Sequence, residues 1–241
     1  MKKIEEPLIV DGKRIDGRKP EEIREIEMRV GVIKNADGSA LVRFGNTMVV
    51  AAVYGPKPLL PKHLQDPEKA ILRCRYGMAP FSVPERARPG PDRRSIEISK
   101  VLRLALEPAI FLEEYPRAVI EVYAEVLQAD GSTRVTSINA ASLALADAGV
   151  PMRDLVVGLS GGKVDGTLIL DLNGKEDNNC EADIPMGFMP RGEKITLLQM
   201  DGDLTPEEVK KIIRMVIDAG KKVYEEQKKA LHAKYEKEEV V

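Results

Sequence analysis

The sequence predicts an α/β (α+β) fold in which mixed β-sheets pack against helices in two successive halves. Three observations carry that prediction. Short apolar segments with the two-residue period of strands recur from residue 26 to residue 200, separated by Asp-Gly and Gly-Asn turns. Helix-period segments interrupt them at 95–111 and 135–148. A third such segment follows Thr205, where Thr205-Pro206-Glu207-Glu208 offers a cap, a proline at the first helical position and a glutamate at the third. With 241 residues, 43% hydrophobic and 32% charged, the chain reads as one soluble globular domain over 1–241. A first half runs over about 10–150, a second over about 151–225, and 226–241 is a charged tail that leaves the body as a solvated, fraying helix.

In order, residues 1–20 hold two Asp/Gly turns and read as an irregular entry. Ile26, Met28, Val30 and Val32 alternate with polar neighbours, Ala40–Phe44 is a short strand, and Met48–Tyr54 is a strand apolar on both faces. Residues 56–94 are rich in proline and basic, with nine Lys/Arg against four Asp/Glu. A short strand covers Ala70–Tyr76 within them. Ser95–Phe111 reads as a helix with Asp92 as its cap. Ile120–Leu127 is a strand with Ile120, Val122, Ala124 and Val126 on one face. Val135–Ala148 is a tightly packed helix stopped by Gly149. Two strands flank Gly161-Gly162 and Asp165-Gly166 turns, and Lys194–Met200 is the last strand.

Composition narrows the chemistry. Net charge is −2, so whole-chain charge does not announce a nucleic-acid binder. Cys74 and Cys180 fit no zinc spacing, and the N-terminus lacks the apolar core of a signal peptide; both point to a reducing cytoplasm with no membrane partner. Neither G-x-x-x-x-G-K-[ST] nor G-x-G-x-x-G occurs, and His63 and His232 are poor material for a triad. What remains is anion binding, arginines and aspartates.

The strongest signal is Gln128-Ala-Asp-Gly-Ser-Thr-Arg134, between a strand and a helix. The first turn of a helix leaves N–H groups unpaired and carries partial positive charge. Ser132 or Thr133 would cap it, and Arg134 adds a guanidinium; the pattern fits a phosphate site, but taken alone it fits an ordinary capped helix with a solvent-facing arginine better, because Ser/Thr caps are common. Arg93 and Arg94 repeat the logic at the start of another helix, where cations oppose the dipole unless an anion is bound. Asp177 and Asp183 belong to a run of four carboxylates within eight residues. On one straight strand they would lie roughly 20 Å apart. They meet at one site, where magnesium could be recruited, only if Asn178-Asn179 turns the chain. The basic 56–94 segment suits a single-stranded polyanion or is a plain solvated loop; Tyr76 and Phe81 are the only aromatics there that could stack a base.

Several stretches together resemble the RNase PH family: Arg14-Ile-Asp-Gly-Arg18, Phe44-Gly-Asn-Thr47, Val53-Tyr-Gly-Pro56, Pro80-Phe-Ser82, Arg93-Arg-Ser-Ile-Glu-Ile-Ser99, Gln128 to Arg134, and Glu176-Asp177 with Asp183. They occur in the family's order over roughly residues 10–220, and the Arg93–Lys100 stretch with the charged tail looks most like the archaeal exosome branch. The resemblance implies an RNase PH-like fold of two βαβ-type halves, similar to the second domain of ribosomal protein S5. It implies a phosphate-dependent 3′→5′ exoribonuclease acting on single-stranded RNA ends, with inorganic phosphate as co-substrate and Mg2+ as ion. It also implies an inactive RNase PH-like partner subunit in a hexameric ring of three heterodimers, with RNA-binding cap subunits. Carried over by position, Gly131, Ser132, Thr133, Arg134 and Arg94 bind phosphate, and Arg93, Arg94 and Lys62 bind RNA. Asp183 and Asp177 are catalytic and hold the metal, Asp183 as general acid or metal-linked residue. The rival is a non-catalytic, RNA-gripping ring subunit, which would be expected to lack the phosphate turn or the acidic pair.

Overall fold

The computed structural model describes residues 7–238. The entry segment is a small hairpin, β1 (Ile9–Val10) and β2 (Lys13–Arg14), turning at Asp11-Gly12. The first sheet contains β3 (Ile26–Val30), β4 (Gly38–Phe44), β5 (Thr47–Pro58), β6 (Ile71–Met78) and β7 (Ala118–Gln128) in the order β3-β4-β5-β7-β6. Its first three strands form an antiparallel meander, and β5 pairs antiparallel with β7. β6 and β7 are parallel and are joined through α1 (Arg93–Leu106), a βαβ crossover. The second sheet holds β8 (Val157–Val164), β9 (Thr167–Leu170), β10 (Ala182–Met189) and β11 (Lys194–Leu198) in the order β11-β10-β8-β9, with β12 (Asp201–Gly202) added to the end of β10. All its pairings are antiparallel. The βαβ unit expected of both halves is therefore confined to the first.

Between the sheets runs α2 (Thr133–Asp147). It is buried almost all round, with Ile138, Ala140, Ala141, Leu143, Ala144 and Leu145 at 0% exposure, which explains its weak polar face. Its small residues let both sheets approach closely. β7 meets the expected alternation: Ile120, Val122, Ala124 and Val126 face this core.

Four local expectations are corrected. The Ser95–Phe111 helix starts earlier and stops at Leu106, where Pro108 forces a 3₁₀ turn, Glu107–Ala109. Gly161 and Gly162 form no turn; they lie in mid-strand in β8, where a Cβ on Gly161 would sit 2.5 Å from Ile212 of the last helix. Glycine there is a packing choice. Tyr76 is core, 3% exposed, and cannot stack a base. The last helix, α4 (Pro206–Glu238), keeps its capping box at Thr205 and Glu208, with Thr205 N to Glu208 Oε2 at 2.8 Å. It does not fray past Glu225: Gln227 is fully buried and donates to Asn139 Oδ1 and the Val156 carbonyl, both at 3.1 Å. Further along, Lys234 pairs with Asp147 at 2.8 Å.

Candidate active site

The turn before α2 is held from three sides. Asp130 N donates to Thr47 Oγ1 (3.1 Å), the Thr47 hydroxyl donates to the Gly131 carbonyl (2.8 Å), and Arg24 Nη1 donates to the Asp130 carbonyl (2.6 Å). Asp130 Oδ1 accepts from Gly174 N at 3.0 Å, which joins this turn to the loop carrying Asp177. Gly131 has φ +73°, and a Cβ there would lie 2.6 Å from the Leu172 carbonyl, so only glycine fits.

Ser132 occupies the cap position but makes no capping bond. It sits in the left-handed region at φ +54°, and its hydroxyl donates to the Leu172 carbonyl (2.9 Å). That proton is committed, so the 2.8 Å contact with Ser160 Oγ is one in which Ser160 donates. The expected serine cap is thus a tether to the second sheet. Thr133 does not cap either; its hydroxyl accepts from buried Tyr76 at 3.1 Å. The first helix-closing bond is Thr136 N to the Ser132 carbonyl, so the amides of Thr133, Arg134 and Val135 precede the ladder and remain open to an anion.

α1 brings the second arginine. Asp92 caps it reciprocally with Ser95 (Ser95 N to Asp92 Oδ1, 2.7 Å), fixing the first turn. Arg94 and Glu97 then face the start of α2, where Arg134 Nη2 reaches Glu97 Oε2 at 3.2 Å and Oε1 at 3.3 Å. Among the described residues Arg134 Nε is buried without a partner, an orphaned cationic donor at the wall.

The acidic side is positioned by a short helix, α3 (Gly174–Asp177), capped by Asn173. Glu176, fully buried, pairs with buried Arg14, whose Nε lies 2.7 Å from Oε1. Asp171 is clasped by Arg24, Nη2 to Oδ1 at 2.6 Å. These two buried pairs fix the loop. After Asp177 the chain turns through Asn178-Asn179 and enters β10, so the separation of a straight strand does not arise.

The result is a cleft of about 610 Å³. Arg94, Ser132, Thr133, Arg134, Asp177 and Asp183 all line it. Gly131 stands behind the wall as the hinge of the turn. Arg93 is exposed on the first residue of α1 and does not line the cleft, and Lys62 lies outside it on an exposed 3₁₀ turn, Lys62–Leu64. The cleft also takes in Glu97, Ser160, Gln199, Met200 and Asp201, which sequence reasoning did not mark. Glu97 follows Arg94 by one helical turn, a spacing that could have marked it; the other four arrive by tertiary packing.

Burial, with Asp177 and Asp201 nearby, pushes the Asp183 carboxyl up to about 7 despite the opposing pull of Arg134. Burial also raises Asp177, against Arg94, Arg134 and Arg24. Among the described residues no three side chains converge as a protein metal cage. Two carboxylates beside an anion cradle fit magnesium, an ion that takes one or two protein oxygens and completes its shell from substrate and water.

Two family models match: "3′ exoribonuclease family, domain 1" over residues 22–151 and "domain 2" over residues 154–218. The chain belongs to the RNase PH family of 3′ exoribonucleases. Its two family segments meet between the first and second sheets, and the cleft draws a wall from each. Curated relatives include exosome complex component Rrp41 of Thermococcus kodakarensis, 60% identical over 225 residues (93% of this chain, 90% of that protein). Rrp41 of Methanopyrus kandleri is 57% identical, over 93% of this chain and 94% of that one. Among solved structures, rice Rrp46 superposes with a TM-score of 0.80 at 27% identity, covering 89% and 98% of the two chains. A chain of the Archaeoglobus fulgidus exosome with RNA bound to the active site superposes with a TM-score of 0.79 at 25% identity, covering 89% and 92%.

Proposed function

We propose that this cleft performs phosphorolysis with the residues that line it. The chain is a phosphorolytic 3′→5′ exoribonuclease of the archaeal exosome Rrp41 type. The observation that carries the residue assignment is the meeting, in one cleft, of an open helix N-terminus, two arginines and two carboxylates. The amides of Thr133, Arg134 and Val135 cradle inorganic phosphate, with the orphaned Arg134 Nε and Arg94 as its cationic partners. A phosphate oxygen attacks the phosphorus of the 3′-terminal nucleotide. The bond from that phosphorus to the preceding O3′ breaks, nucleoside diphosphate leaves, and the new O3′ end takes a proton. Asp183, its proton held to about neutral pH, stands at the leaving oxygen as acid, or when ionised as ligand to an ion. Magnesium, where Asp177 and Asp183 hold it, supplies charge neutralisation at the phosphate oxygens. Positioning and charge do the rest.

The partners follow the same reading: a single-stranded RNA 3′ end, an inactive RNase PH-like subunit alternating with this one in a hexameric ring, and RNA-binding caps. A non-catalytic ring subunit is the rival, and the intact turn with its acidic pair disfavours it. The deciding experiment incubates oligo(A) with the chain, alone and with partner chains, with and without phosphate. Nucleoside diphosphates that appear only with phosphate support the proposal. Arg134→Glu should abolish them while circular dichroism stays unchanged. Solvent-labelled oxygen in released monophosphates would mean hydrolysis and overturn it.

A further inference from the structure

The cleft is poor in positive charge for an enzyme of a polyanion. Arg94 and Arg134 face five carboxylates on its walls: Glu97, Asp177, Glu181, Asp183 and Asp201. It can orient a terminus, but it cannot supply the electrostatic grip on a long strand. A second groove, of about 660 Å³, lies on another flank of α1 and has the opposite character. Arg73 and Arg75 of β6 and Lys100 and Arg103 of α1 face one carboxylate, Glu121. Glu121 is already engaged by Lys57 at 2.6 Å and by Arg73 at 3.8 Å, and Arg103 pairs with Glu107 at 3.0 Å. Among the described residues, Lys100 has no ion-pair partner, and Arg75 acts on Glu125 of β7 only from beyond ion-pair distance; both cations are exposed.

Geometry makes this a track. β6 is the edge strand of the first sheet, and Arg73 and Arg75 project from one face of it. Arg93, Ile96, Lys100 and Arg103 stand at three- and four-residue steps on α1, one stripe about 15 Å long. The stripe starts at Arg93, beside Arg94 of the cleft, and ends in the groove. Tyr123 lines the groove as well, its ring braced edge-on by Tyr54 at 6.0 Å between centroids. It offers a base a face that buried Tyr76 cannot.

We infer that this groove is a second RNA site, which holds the sugar–phosphate chain upstream of the 3′ end and feeds it past Arg93 into the cleft. The inference rests on the phosphorolytic reading for its substrate class and not for its geometry. It gives a function to Arg73 and Arg75 of the basic segment, which the cleft leaves unused.

The test uses the assembled ring and the double variant Arg75→Ala/Lys100→Ala. Binding of a long oligo(A), about thirty nucleotides, is measured against salt, and phosphorolysis is compared on the long strand and on one of about four nucleotides. Loss of two phosphate contacts lowers the slope of log affinity on log salt by about 1.4 and weakens long-strand binding by roughly 10- to 30-fold at 0.1 M salt. Turnover of the short strand stays unchanged. Arg75→Lys/Lys100→Arg, which keeps the charge, restores the slope. An unchanged slope overturns the inference, as does an equal loss on both strands. So does failure of the ring to assemble with the isolated chain's salt slope intact, which would make the surface a subunit contact. If wild-type ring leaves both strands uncut in phosphate, the phosphorolytic reading fails instead, and the slope still judges the groove.

Discussion

Replacing Asp183 by asparagine should make the protein more stable at alkaline pH while stopping turnover. The carboxyl is held at about 7 in the folded protein against 3.8 for an exposed aspartate. Between those values the folded state keeps a proton that the unfolded state has lost, so stability falls as pH rises from about 4 to about 7. Each pH unit of that interval is worth about 1.4 kcal/mol, which gives about 4 kcal/mol in all. Residual solvent at the cleft wall trims this, and about 2–4 kcal/mol is the expected penalty of the ionised Asp183 above pH 8. Asparagine keeps the shape and removes the charge. Guanidinium unfolding at 25 °C, in EDTA and without phosphate, should show Asp183→Asn more stable than wild type by about that amount at pH 8, and equal to it at pH 4. Asp177→Asn removes the like charge and lowers the Asp183 value, so the double variant should gain less than the sum of the singles. If Asp183→Asn gains as much at pH 4 as at pH 8, or gains nothing at pH 8, the stored repulsion does not exist and the proposed proton donor goes with it.

Other outcomes follow from the same geometry. Magnesium added at pH 8 should raise the unfolding midpoint of wild type but not of Asp183→Asn, read by calorimetry; equal shifts would place the ion elsewhere. Glu97→Gln should lower the KM for phosphate, by up to about fivefold, since the carboxylate competes with the anion for Arg134 and an exposed pair is worth at most about 1 kcal/mol. A raised KM would make Glu97 an aid to orientation instead. Truncation after Glu225 should cost about 2–4 kcal/mol by exposing what Gln227 and Ala230 cover, checked by denaturant titration; an unchanged midpoint would return the tail to solvent.

Much of this was legible where one periodicity or one turn decides the structure. The β7 alternation, the Asp92 cap and the Thr205 capping box are local patterns, and the structure contains each. Arg94, Arg134, Asp177 and Asp183 were marked by residue type at helix starts and in an acid run, and one cleft gathers them. What escaped depends on distant partners. Ser132 reads as a cap in sequence, but its hydroxyl is drawn off by the Leu172 carbonyl, 40 residues away. Gly161-Gly162 reads as a turn because a tight helix contact and a tight turn ask for the same residue. Arg14 and Glu176 stand in the family's motifs and Arg24 and Asp171 in no marked pattern, yet all four form buried clasps, which no periodicity reveals.

The clasp at the middle of α2 bears on synthesis. Asn139 of α2 bonds the Gly158 backbone (Nδ2 to O, 2.7 Å; N to Oδ1, 3.0 Å), and Gln227 closes over it. A nascent chain stalled on the ribosome before that glutamine leaves the central helix unroofed and the Val156 carbonyl without this donor. The helix that opens at the anion cradle is thus roofed by a side chain 88 residues further along the chain, so its start and its middle answer to different stretches of the polypeptide.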